Sequence, residues 1–365
     1  MPSVAVVNAL KRFAGSTFVA QSYLKCLKNH GYQANWYQCT DSKELADYLP
    51  WPTIVPGLTT RFESLNLAAN RLYFFPHKLK GLKEDLILAT DQILAGLVDH
   101  HKNCIVTVHD LRELNRRTRT HLPARILFSF LMPKIARARG IITVSEYTKK
   151  QLVEHIKNPP PITVLHIGTR VVGDPVHHLE DSLRRLQEQK ILNVSYVAVD
   201  RPYKKIDFFL ELARQMDKVS SSTGVKFQFH LVSKLTTETL KNIGRNPIPS
   251  LKIYDRIEDI TDMYKFTDVL AFPSTMEGFG APPVEAMQFG IPVLVNGMEP
   301  MREVVADGGA LLPPLDLGSW VNALSSLTDP VHYKEASARS AKRATWFSQE
   351  QFEIRMLDAL HKWGY

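Results

Sequence analysis

The chain has 365 residues, 44% of them hydrophobic and 22% charged, with a formal net charge of +8. That length suits two domains of about 150 to 200 residues, and the composition is that of a globular protein rather than a disordered, collagenous or disulfide-framed one. No run approaches the roughly 18 consecutive apolar residues of a membrane span.

The charge is unevenly divided. Residues 1–175 hold 23 Lys and Arg against 13 Asp and Glu, and the remainder holds 22 against 24. A basic half points to an anionic partner, either an acceptor molecule or an anionic membrane surface. The basic residues are not interleaved with aromatics in a nucleic-acid-binding pattern, so no nucleic acid is expected. The three cysteines, Cys26, Cys39 and Cys104, lack metal-ligand spacing and fit a reducing cytosol. Met1-Pro2-Ser3 leads directly into the apolar Val4-Ala5-Val6-Val7 without a basic-then-apolar leader. The expected location is therefore the cytoplasm, in part peripheral on the inner face of a membrane.

Taken in order, residues 4–9 predict a strand, 11–17 a loop containing Gly15, and 18–29 a helix closed by Gly31. This strand–loop–helix unit lacks the G-x-G-x-x-G of a dinucleotide fold, which disfavours a nicotinamide-dependent dehydrogenase. Further strands are expected at 33–39, 86–90 and 104–108. Pro52, Pro56 and Gly57 break residues 51–85, where a helix is assigned near 61–75. The strand 104–108 ends in His109-Asp110, and a histidine there can reach into a crevice; the plain alternative is a strand cap partnered by Asp110. Asp91, near another strand end, reads as a helix N-cap.

Residues 112–139 place Arg112, Arg116, Arg117, Arg119 and Arg125 before the apolar run 126–132, with Lys134, Arg137 and Arg139 after it. This reads either as an interfacial helix or as a core helix with a solvated basic loop. A strand at 140–144 precedes a helix capped by Ser145, and a strand at 162–165 precedes an interdomain linker over 168–175. In the second half the periodicity predicts a helix over 179–189, a strand over 194–199, a helix over 206–216 entered through Arg201 to Lys205, strands at 227–232 and 251–254, and a short helix at 259–264. The tail 331–363 reads as helical.

The densest signal is residues 269–296. Val269 to Phe272 reads as a buried parallel strand, Glu277-Gly278-Phe279-Gly280 as a tight turn, Pro282 and Pro283 as the first turn of a helix ending at Gly290, and Val293 to Val295 as the next strand. Glu277 and Glu285 stand eight positions apart across this turn. In an open α/β sheet, the turn lies where ligands bind, and a helix N-terminus there offers N–H groups to a phosphate.

From Glu277 to Glu285, with Gly278-Phe279-Gly280 and Pro283 between and Gly290-Ile291-Pro292-Val293 after, the stretch resembles the E-x7-E signature of retaining GT-B glycosyltransferases, family 4 in particular. The resemblance runs from about His109 onward and is clearest over 250–315. It implies an α/β fold of two Rossmann-like, doubly wound domains facing a central cleft. These are an acceptor domain over 1–172, a donor domain over 173–340, and a last helix over 341–365 returning to the first domain, with Trp346 or Trp363 at the hinge. The implied reaction moves a hexose from a nucleotide diphosphate sugar of the GDP-mannose or UDP-glucose type to a hydroxyl of a glycan or lipid-linked acceptor, with retained anomeric configuration.

In that reading Glu277 holds sugar hydroxyls and Glu285 the ribose. His109 lies against the donor sugar, and Lys205 with the amides of Gly278, Phe279, Gly280 and Ala281 meets the diphosphate. The family's Gly-Arg before the lysine is Ala198-Val199 here, and Arg201 stands as its substitute; of the paired glycines in the first loop only Gly15 is present, and Ile167 replaces the usual Asn before Gly168. These departures keep a non-catalytic GT-B scaffold as an alternative, beside a sugar-nucleotide epimerase. No Asp-x-Asp motif is present, so neither a metal nor any cofactor beyond the donor substrate is expected.

Overall fold

The computed structural model describes residues 2–9, 15–40, 52–58, 66, 69–114, 122–168, 171 and 173–365. The chain divides into two units, one of residues 1–168 with 349–365 and the other of residues 169–348.

The first unit carries seven strands: β1 (Ser3–Ala9), β2 (Gln33–Thr40), β3 (Thr53–Pro56), β4 (Leu86–Ala89), β5 (Cys104–Val108), β6 (Gly140–Thr143) and β7 (Ile162–Val164). Their order is β3-β2-β1-β4-β5-β6-β7, and every pairing is parallel. Successive side chains of a strand point to opposite faces, and here both faces are covered. In β1, Ala5, Val7 and Ala9 enter one apolar cluster, whereas Val4 and Val6 enter the other. This two-sided burial explains why the central strands β1, β4, β5 and β6 read as largely apolar runs instead of alternating ones. Around the sheet lie α1 (Gly15–Asn29), the short α2 (Phe75–Lys78), α3 (Leu122–Ile135) and α4 (Glu146–His155).

The second unit has β8 (Ile191–Val197), β9 (Lys226–Val232), β10 (Leu251–Tyr254), β11 (Val269–Phe272), β12 (Val293–Asn296) and β13 (Ala310–Leu312), in the order β10-β9-β8-β11-β12-β13, again all parallel. Its helices are α5 (Pro175–Arg184), α6 (Ile206–Thr223), α7 (Thr237–Arg245), α8 (Ile260–Phe266), α9 (Ala281–Gln288), α10 (Met301–Val305), α11 (Leu317–Ser326) and α12 (Pro330–Ala344). The last helix, α13 (Gln349–Lys362), belongs to the first unit. Its Phe352, Met356, Ala359 and Leu360 complete the cluster formed by Val4, Val19 and Tyr23, so the chain returns to the sheet it began with.

Several expectations change. The prolines and glycine around residues 52–57 do not exclude a strand, because β3 is an edge strand pairing with β2 from Tyr37 to Thr40, and an edge tolerates the missing N–H of proline. The helix expected near 61–75 lies partly outside the described residues; Asn70–Phe74 form one wide helical turn running into α2. The tail is not one helix: α12 ends before a short turn at Thr345–Phe347, and Ser348 is extended between it and α13. Of the two tryptophans expected near the hinge, Trp346 is exposed and Trp363 is buried within the first unit. Trp363 lies against Gly140, where an added Cβ would sit 2.6 Å from the indole nitrogen.

Among the described residues no helix is long and apolar enough to cross a membrane.

Candidate active site

In each sheet the strand order reverses once, between β1 and β4 in the first unit and between β8 and β11 in the second. At such a point the loops leaving the carboxyl ends of the two central strands diverge and open a crevice. In the second unit those loops are 198–205, after β8, and 273–280, after β11. They carry Lys204, Lys205, Glu277 and the glycine turn.

The two loops are tied together main chain to main chain. The Thr275 N–H donates to the Tyr203 carbonyl at 2.8 Å, and the Thr275 hydroxyl reaches the same oxygen at 3.1 Å. Tyr196, on β8, donates its hydroxyl to the Lys204 carbonyl at 2.5 Å. Burial above all, and then the nearby Glu277 charge, pushes the Tyr196 phenol well above its ordinary value, so it stays a donor. From the other side the buried Asn296, ending β12, donates to the carbonyls of Pro273 and Ser274 at 2.5 and 3.1 Å. The loop after β11 is therefore held by its neighbours on both sides.

Held in this way, the Lys204 ammonium meets the Glu277 carboxylate at 2.5 Å, with both side chains 14% exposed. The same ammonium lies 5.6 Å from the ring centroids of Tyr203 and Phe272, within reach of a cation–π attraction. Lys204, not Lys205, is thus the lysine brought to Glu277. The cause is the backbone: Lys205 has φ 55° and ψ 44°, the left-handed conformation, and ends the short turn Pro202–Lys204 where α6 begins. Arg201 precedes that turn in extended conformation with its side chain exposed, beside Asp200.

The helix entrances differ in a way that bears on chemistry. The first N–H groups of a helix need an outside acceptor, which Ser, Thr, Asp or Asn commonly supplies. In the second unit Asp174, Thr236, Asp259, Asp316 and Asp329 do this for α5, α7, α8, α11 and α12. The helices that start from the two crevice loops have no such cap. α6 follows Lys205 and α9 follows Gly280, each in left-handed conformation with no side-chain acceptor; the short α10 also has none. Gly280 has φ +94°, a left-handed conformation that favours glycine, and its α-carbon packs against the Met301 side chain. Ala281 is exposed, Gly278 half-buried, and Phe279 is buried against Phe347 with ring centroids 5.7 Å apart. Pro282 and Pro283 carry no N–H, so Gly280 and Ala281 supply the first amides of this entrance. Glu285, one turn into α9, is only 4% exposed and accepts a 2.8 Å hydrogen bond from Tyr264.

In the first unit His109, following β5, donates from Nε2 to the Thr90 carbonyl at 2.7 Å, and its N–H donates to Gln92. It therefore sits beside the β1–β4 reversal and does not pair with Asp110, which accepts from Arg112. Asp91 caps the turn Gln92–Asp99 through the Ile93 N–H, and burial pushes its carboxyl up. Ser145 caps α4. Gly15 is the first residue of α1, while the loop residues 10–14 before it, and Arg116, Arg117 and Arg119, lie outside the described residues. Among the described residues no group of three or more His, Cys, Asp and Glu side chains is placed to hold a metal ion.

Sequence reasoning missed Lys204, Tyr196, Thr275 and Asn296. A Lys-Lys doublet does not show which member faces a site, and the other three act through main-chain carbonyls that leave no pattern.

Residues 13–171 match the family model described as Glycosyltransferase Family 4, and residues 188–329 the one described as Glycosyl transferases group 1. A D-inositol 3-phosphate glycosyltransferase of Mycolicibacterium smegmatis is 36% identical over 237 residues, 58% of this chain and 51% of that protein. The O-antigen chain mannosyltransferase RfbU of Salmonella typhimurium is 24% identical, covering 62% of this chain and 61% of its own. O-antigen chain mannosyltransferase B of Escherichia coli is 34% identical over 103 residues, 28% of this chain and 27% of that protein. The matches therefore span about a quarter to three fifths of these relatives' lengths. Among solved structures, sucrose-phosphate synthase of Thermosynechococcus elongatus aligns over 99% of this chain and 98% of its own, with a TM-score of 0.79 and 15% identity. Anabaena HepE in complex with UDP and glucose aligns over 99% and 100%, with a TM-score of 0.73 and 16% identity.

Proposed function

This chain belongs to the GT-B glycosyltransferases of the family 4 type, and on that premise we propose that it transfers a hexose from a nucleotide diphosphate sugar to an acceptor hydroxyl with retention of configuration. The observation that carries the reading is the meeting of Lys204 and Glu277 between two helix entrances that lack side-chain caps. Such entrances present N–H groups and the positive end of a helix dipole, which suit a phosphate. A diphosphate there gains charge-assisted bonds from Lys204 and from the amides at the start of α6 and α9. Glu277 accepts hydroxyls of the transferred sugar and Glu285 those of the ribose. Lys205 contributes its amide and left-handed turn in place of its ammonium, and Arg201 adds an outer positive charge.

As the glycosidic bond to the diphosphate breaks, negative charge grows on the leaving phosphate. Groups already aimed at that position stabilise the transition state more than the bound donor. The reading needs no metal, because Lys204 and the two entrances meet the phosphate charge. His109 is the residue of the first unit that we assign to the same reaction.

Mannosyl- and glucosyl-type donors both suit the site; relatives named as mannosyltransferases and a structural neighbour solved with UDP and glucose support these two classes. The basic first half favours an anionic acceptor, lipid-linked or glycan. It also favours contact with an anionic membrane surface, for which Ile126 and Phe130 on α3, 49% and 60% exposed, offer apolar anchors.

The test is a thermal-shift screen against GDP, UDP and their mannose, glucose and N-acetylglucosamine conjugates, with EDTA and then with magnesium. A ligand that binds only the folded state raises its melting temperature. One base should shift it selectively without metal, and the matching conjugate should then yield product of retained configuration. No shift with any of them overturns the donor-site reading, and a shift only with magnesium overturns its metal independence.

A further inference from the structure

Glu285 is a nearly buried carboxylate, and a buried charge is tolerated only where donors compensate it. One donor is Tyr264 on α8, whose hydroxyl lies 2.8 Å from Oε2. Tyr264 is itself fully buried and cannot swing away. Its ring lies 5.7 Å from that of Phe289 at the end of α9, and Phe289 packs in turn on His178 of α5. His178 donates from Nε2 toward the carbonyls of Thr267, at 2.9 Å, and Tyr264, at 3.2 Å. Burial holds the His178 imidazole below its ordinary value, in the neutral form with one ring N–H to give. The ring of Tyr264 and its main chain are thus fixed from two different helices before the hydroxyl reaches the carboxylate.

We propose that Tyr264 is a positioning residue for nucleotide recognition, holding one oxygen of Glu285 so that the carboxylate is aimed at the vicinal hydroxyls of the donor ribose. This rests on the reading that Glu285 takes the ribose. A carboxylate at the end of a two-carbon stem has several rotamers, and fixing one before ligand arrives removes an entropic cost from binding. The hydroxyl holds Oε2 and so restricts the rotation of the whole carboxylate, which moves as one planar group.

The experiment measures dissociation constants of UDP and GDP and of their 2′-deoxy counterparts, for the intact protein and for Tyr264→Phe, Glu285→Gln and the double variant. The phenylalanine keeps the ring packing and removes only the hydroxyl. For the base that binds, the intact protein should prefer the ribonucleotide by about tenfold or more, as expected for a hydrogen bond to a charged group. Glu285→Gln should abolish that preference. Tyr264→Phe should cut it by about fivefold, with less than a twofold further effect in the Glu285→Gln background. The ratio is taken on one protein at a time, so a general loosening of the fold cancels. If Tyr264→Phe keeps the full preference while Glu285→Gln loses it, Tyr264 does not position the carboxylate and the ribose assignment stands. If Glu285→Gln keeps the preference, the ribose assignment fails and the role of Tyr264 fails with it.

Discussion

The two sheets reverse their strand order in the same way, yet the two reversal points are chemically different. In the first unit the turn after β4 is closed by the Asp91 side chain, and His109 is tethered to the Thr90 carbonyl. In the second, the helices after β8 and β11 begin without side-chain acceptors, and an ammonium and a carboxylate face each other between them. Topology makes a crevice in both. Among the described residues, the second has helix entrances without side-chain caps beside an ion pair, which is the ground on which we propose it as the donor's place. A fold offers places, and the site is decided by which hydrogen-bonding groups the surrounding chain has already used.

The comparison breaks most sharply at Glu277. Glu277→Ala should lower turnover by about 10³-fold or more, the scale of losing a group that acts in the transition state, with an unchanged circular dichroism spectrum. Turnover near that of the intact enzyme would remove the second unit's crevice from the reaction. Lys204→Ala should cost about 10²-fold in kcat/KM, whereas Lys205→Gly should leave it within about threefold. The glycine variant should also raise stability by up to about 1 kcal/mol in urea unfolding, since glycine relieves the left-handed conformation. Equal losses in both variants would contradict the placement of Lys204.

The histidines sharpen the contrast in another way. His109 ends a strand at the crevice, but His230 lies inside the second sheet, accepting from the Tyr254 hydroxyl at Nδ1 and donating to Asn193 at Nε2. Burial, and then the Lys252 charge, lowers its value to about 4. The unfolded chain takes up this proton first, near pH 6.5, so the contribution is complete above that pH and falls away as the pH drops toward 4. Between pH 7 and pH 4.5 the second unit should lose about 2 to 3 kcal/mol from this group. Urea unfolding at the two pH values, repeated with His230→Gln, should show that part of the slope vanish in the variant.

The smallest effect is expected at the closed reversal point. Asp91→Ala should cost about 1 kcal/mol of stability, as the loss of a cap does, while the dissociation constant for the nucleoside diphosphate stays the same. A weakened constant would show that the two reversal points are not chemically separate.

Much of this was legible in the chain. The strands 104–108 and 269–272 coincide with their apolar runs, because a strand covered on both faces is apolar throughout, and the edge strand 251–254 also falls where it was read. The turn from Glu277 through Gly280 and the two prolines was legible because each residue type there answers a backbone requirement. Ser145 and Asp91 were recognisable as caps for the same reason. Strand β3 was hidden because its prolines matter only for a central strand. The break of the tail between α12 and α13 was hidden because the helical pattern continues through it.

By itself, then, the sequence determined most of the elements and the carboxylate pair, since these follow from local periodicity and turn chemistry. Tertiary structure decided which of two adjacent lysines meets Glu277, because the direction of a side chain depends on the backbone angles of its neighbour and on the carbonyls that Thr275 and Tyr196 hold. It also decided that Tyr264, 21 positions before Glu285, reaches that carboxylate, because a contact between two helices is a property of packing and not of spacing along the chain.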